Sequence, residues 1–180
     1  MLTRFQAVEL MWEGTELSVS AVFCALTVLV RTGGFPVGHL RLGAAAAMAY
    51  KAHHCTPFDR MSEFMEYMLL QAWPVRPPEL AAEEMRLLHL LGFAVPMRTR
   101  ADMVLDFMHG RGVDDAAVHR CLLTSLVVPS FAAMTDEQHV RCVAFAAAYR
   151  CDVALLDLAC EAAPPDYFVR HGLELIRFVP

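Results

Sequence analysis

The chain has 180 residues, room for one large domain or two small ones, with 57% hydrophobic and 19% charged residues. Its net charge is −5, Lys51 is its single lysine, and no basic cluster supplies the phosphate-neutralising face that nucleic-acid binding requires. A membrane span needs roughly 18 consecutive apolar residues, and the longest apolar run, 17–30, is shorter and holds two serines.

Residues 1–14 read as a first helix ended by Gly14, and Glu9 stands where a secretory signal would need its apolar core. A second helix spans 18–30, from an N-cap at Ser18 to the breaker Gly33-Gly34-Phe35-Pro36. The third, 37–54, is rich in alanine. Pro57 begins a fourth, with Met61, Phe64, Met65, Met68 and Leu69 at helical spacing. A rigid proline-rich connection, 73–78, leads to a fifth helix over 79–91. Glu79, Glu83 and Glu84 fall in its early turns, where the helix dipole favours acids, and Gly92 ends it.

Residues 93–99 link to a second group. Residues 101–109 form a helix broken by Gly110 and Gly112, and 114–128 form another closed by Pro129. Thr135-Asp-Glu-Gln138 is a capping-box pattern that opens a second alanine-rich helix. Helices over 153–162 and 167–178, separated by Pro164-Pro165, complete the set. The expected fold is all-α, with two groups of about five helices divided into 1–98 and 99–180.

Two segments nearly repeat. His39-Leu-Arg-Leu-Gly-Ala-Ala-Ala-Ala-Met-Ala-Tyr-Lys51 returns as His139-Val-Arg-Cys-Val-Ala-Phe-Ala-Ala-Ala-Tyr-Arg150. Long-range self-similarity marks a duplicated structural unit. Alanine favours the helix and is small, so a helix apolar nearly all round is buried nearly all round, with other helices close against it. Each half is therefore expected to be a bundle about one alanine-rich helix. His39 and His139, near the start of each copy, read as structural.

Chemistry-bearing motifs are sparse. The six cysteines form no CxxC pair and lie mostly in apolar helical stretches, which reads as reduced thiols of an intracellular protein. His53-His54-Cys55 has no second ligand cluster to complete a zinc site, and Cys55 has no Gly-rich turn to present a nucleophile. No metal, cofactor or catalytic residue is expected.

The arrangement resembles the cyclin family, in which two five-helix boxes stand in tandem, each around a small-residue third helix. Lys51-Ala52-His53-His54-Cys55-Thr56-Pro57 is similar to the end of the cyclin third helix, keeping its Lys and Pro at the family's spacing. Glu84-Met-Arg-Leu-Leu-His-Leu-Leu-Gly-Phe93 matches the fifth helix, with its Glu nine residues before a terminal Phe. Arg31 falls on the Arg of an Asp-Arg-Phe-Leu motif, and Leu105-Asp106-Phe107-Met108 matches the start of a second box. The chain departs from the pattern at Val30, which replaces the Asp. It departs again at Ala52, His53 and His54, where aromatic and acidic residues are usual, and at Ala7, which stands at the Trp position of the substrate-docking helix.

The resemblance implies a non-enzymatic regulatory subunit, nuclear or cytoplasmic, that forms a heterodimer with a cyclin-dependent kinase and holds the kinase's active-site helix inward. Lys51 and Glu84 would reach that partner's backbone, with Ala52, His54 and Leu40 on the same surface. The alternative is a cyclin-fold adapter that binds a host or transcription protein without activating a kinase.

Overall fold

The computed structural model describes residues 1–13, 17–54, 76–153 and 164–178. Chain contacts divide it into two compact units, Met1–Thr99 and Arg100–Pro180. The described residues are helical apart from turns, loops and one isolated antiparallel bridge between Leu2 and Val37. None of their helices is long and apolar enough to cross a membrane. The helices expected from Pro57 and over 153–162, and the connection at 73–75, lie outside the described residues.

The first unit contains α1 (Arg4–Glu13), α2 (Val19–Arg31), α3 (His39–His54) and α4 (Pro77–Leu90). Ser18 caps α2, its Oγ accepting the Ala21 N–H at 3.2 Å, so one of the amides left open by helix geometry is satisfied. At the other end the Arg41 guanidinium donates to the Thr32 carbonyl. Gly33 sits at φ 141°, a backbone conformation that residues with side chains rarely adopt, so this turn takes glycine.

Helix α3 begins at His39 rather than at Val37. Val37 exchanges both backbone hydrogen bonds with Leu2, at 2.7 and 3.0 Å, and groups spent on the bridge are lost to a helix. From Leu42 to Ala49 every residue of α3 is buried, and α3 packs against α2 and α4. Helix α4 starts two residues before the expected 79, with Pro77 and Pro78 inside it. Proline suits the first turn, because the N–H it lacks has no partner in the helix there.

The second unit contains α5 (Arg100–Met108), α6 (Asp115–Ser125), α7 (Pro129–Ala132), α8 (Asp136–Arg150) and α9 (Pro165–Phe178). Residues 114–128 do not form one helix. The chain tightens after Ser125 into bonds from Leu126 N–H to Leu123 O and from Val127 N–H to Thr124 O. Val128 is then extended, as a residue before proline prefers, and Pro129 opens the short α7 instead of merely closing α6.

Thr135 and Gln138 form a reciprocal capping box at the start of α8. Cys142, Val143, Ala144 and Ala146–Ala148 are buried, and α8 packs against α5, α6 and α9. Gly172 lets α9 approach closely: a Cβ there would stand 2.3 Å from Phe145 Cδ1 and 3.2 Å from the Cys142 carbonyl oxygen.

The two alanine-rich copies use their shared residues differently. His39 is the first residue of α3 and half-buried, whereas α8 starts one turn earlier and carries His139 into the interior. Arg41 binds a carbonyl at the end of α2, but the Arg141 guanidinium lies over the Phe107 ring, 4.6 Å from its centroid.

Candidate functional site

Helix α3 runs past its fully buried stretch for one more turn, which brings Lys51 to the surface. On α4, Leu80 and Leu87 are buried, and Glu84 is four residues after one and three before the other. That spacing puts its carboxylate on the same inward face. Lys51 Nζ donates to Glu84 Oε2 at 2.5 Å, with 50% of the lysine side chain and 14% of the glutamate side chain exposed. A half-open cation thus rests on a mostly covered anion, and the bond is charge-assisted. The neighbouring Glu83 is engaged by Arg86 through two bonds of 2.7 and 2.6 Å.

The remaining predicted residues divide. Ala52, His53 and His54 occupy the same last turn of α3 and are half-buried. The His54 ring stacks on Tyr50, centroids 4.6 Å apart, and its Nε2 accepts the Ser18 N–H at 3.2 Å. Partial burial, and then the neighbouring His53, hold the His54 imidazole below its ordinary proton affinity. His53 Nε2 lies 3.3 Å from the Pro96 carbonyl oxygen. Leu40 is half-buried in the first turn of α3, about 16 Å along the axis from Lys51 at 1.5 Å per residue, and does not join the cluster.

Met85, Leu90, Phe93 and Met97, on and just beyond α4, are all exposed. Sequence reasoning named only Phe93 among them, as the residue that ends the Glu84–Phe93 pattern. Phe93 sits at φ 60°, a left-handed conformation uncommon outside glycine, and its ring meets His89 edge-on with centroids 4.9 Å apart.

The second unit holds two other arrangements of polar groups. Ser125 and His139 are in contact, Oγ to Nε2 at 2.9 Å. The Ser125 hydroxyl donates to the Leu122 carbonyl at 2.6 Å, so the proton shared with His139 belongs to Nε2. Burial, then the Arg100 charge, press His139 down to about 3, with Asp136 opposing. A sealed imidazole of that kind holds structure and has no reach to a substrate. A cleft of about 220 Å³ lies between α5, the Gly110–Gly112 turn and α6, with Leu105, Met108, Val113 and Val118 among its lining and Asp115 at its edge.

Cys24, Cys121 and Cys142 are buried and in no disulfide, and burial pushes the Cys121 thiol up to about 11, far from a reactive thiolate. Among the described residues no group of three or more His, Cys, Asp or Glu side chains could hold a metal ion. Compared with known protein families, curated proteins and solved structures, the chain matches none.

Proposed function

We propose that the chain is a cyclin-like regulatory subunit, its two units corresponding to tandem cyclin boxes, which binds and activates a cyclin-dependent kinase. The observation that carries this reading is the Lys51–Glu84 pair. The two residues that the cyclin resemblance assigns to the kinase contact are 33 positions apart, and they meet at 2.5 Å. The all-helical fold and the buried alanine-rich α3 are what such a box requires.

In this reading the protein performs no chemistry. It binds one kinase conformation better than the other, and that differential affinity shifts the population. The favoured conformation is the one whose Lys–Glu ion pair and Mg²⁺ geometry are assembled for phosphoryl transfer. The end of α3, with Lys51, and the adjoining edge of α4, with Glu84, form the contact, and the subunit works in the nucleus or cytoplasm, where its kinase is.

The test is affinity purification of the tagged chain from its own cells, followed by a kinase assay on the eluate. A stoichiometric, active cyclin-dependent kinase is expected. Replacing both residues, Lys51→Ala with Glu84→Ala, should weaken binding by about 2–5 kcal/mol, the range for removing a charged group from a hydrogen bond across an interface. Lys51 is half exposed, so loss of the pair should cost the free protein under about 1 kcal/mol, and weaker binding will not reflect unfolding. Unchanged affinity would remove this site. Copurification of another protein without a kinase would replace activation by the adapter function.

A further inference from the structure

The last turn of α3 is held from two sides by adjacent histidines, and the two bonds have opposite polarity. The Ser18 backbone N–H is a donor, so His54 Nε2 accepts it only while that nitrogen bears no proton, with the ring proton on Nδ1. The Pro96 carbonyl is an acceptor, so His53 Nε2 must bear a proton to bond it, in either a neutral or a charged ring. We propose that His53 and His54 are positioning residues that clamp the turn carrying Lys51, and that protonation of His54 opens the α2 side of the clamp while the Pro96 side stays closed.

The surroundings of His54 favour the neutral ring. Its own helix brings His53 beside it, the Tyr50 ring against its face, and Lys51 one turn back, already paired with Glu84. Among the described residues, the start of α2 presents to it the Ser18 amide and a hydroxyl that accepts from Ala21 N–H. Partial burial and His53 both disfavour the charged form, so release falls below the ordinary histidine range near 6.5. For the free chain the inference rests on geometry alone. Its consequence for partner binding rests on the function proposed above.

The experiment uses the full chain labelled with ¹⁵N, followed by NMR from pH 7.5 to 5. At pH 7.5 the His54 ring is expected as the Nδ1–H tautomer, and the Ser18 amide signal is expected to move with the His54 titration, at a midpoint below 6.5. A His54 ring protonated on Nε2 at pH 7.5, or a Ser18 amide indifferent to its titration, would overturn the clamp.

Kinase affinity supplies the second readout. The unaltered chain should lose about two- to tenfold in affinity across this range, the factor that one ordinary hydrogen bond supplies. His54→Gln offers a non-titrating acceptor and should flatten the pH profile whatever its affinity, whereas His54→Leu should bind weakly at every pH. Equal pH profiles for the unaltered chain and His54→Gln would refute the positioning role. Absence of any bound kinase, with the NMR result intact, would instead count against the proposed function and leave the clamp standing.

Discussion

Acidification should destabilise the second unit through His139, and the size of the effect follows from its burial. The ring is 2% exposed, bonded to Ser125 Oγ and set edge-on to Phe131 with centroids 5.7 Å apart. Its proton affinity drops from the ordinary 6.5 to about 3, chiefly by desolvation and further by Arg100. The affinity is lowered on folding, so stability is intact above pH 6.5 and declines as pH falls from 6.5 toward 3. Over that window the unfolded chain takes a proton that the folded chain refuses, and each pH unit costs up to about 1.4 kcal/mol.

Between pH 6 and 4.5 the loss from this one group should be roughly 2 kcal/mol, a sizeable part of an ordinary domain's 5–15 kcal/mol. The assay is urea unfolding at several pH values, comparing the unaltered chain with His139→Gln, whose amide donates to Ser125 but does not titrate. Contributions of other groups cancel in the difference. Parallel stability curves would show that His139 accepts a proton as readily folded as unfolded, and the burial argument would fail.

Gly172→Ala sets two effects against each other. Alanine gains about 1 kcal/mol of helix propensity, but its Cβ would stand 2.3 Å from the Phe145 ring, and overpacking costs about 1–3 kcal/mol. The variant should not be stabilised, and a stabilised variant would deny the close α8–α9 approach. Thr135→Ala removes the acceptor for the Gln138 amide and should cost about 1 kcal/mol, seen as a lower urea midpoint at unchanged slope. An unchanged midpoint would mean that the capping box contributes nothing.

Much of the local structure was legible before any coordinates. Ser18, and Thr135 with Gln138, cap helices because a cap needs only a side chain two or three residues from the amide it serves. The errors had one distant cause and one local one. Val37 left its helix because Leu2 claimed its backbone, and the 114–128 stretch broke where the residue before Pro129 had to extend. Lys51 and Glu84 were named through resemblance to a family, since no rule of spacing pairs residues 33 positions apart. The bonds of His53 to Pro96 and of His54 to Ser18 left no mark in the sequence at all.

The repeated segment shows where the division falls. Its alanines by themselves determined a helix and its burial on all sides, because propensity and the absence of polar surface belong to the residues wherever they stand. What each shared polar residue does was decided by the tertiary structure. His39 opens one helix while His139 is sealed against Ser125, and Arg41 binds a carbonyl while Arg141 covers a ring. A polar side chain's role depends on the donor, acceptor or charge brought to it, and those partners come from elements that only the folded chain brings together.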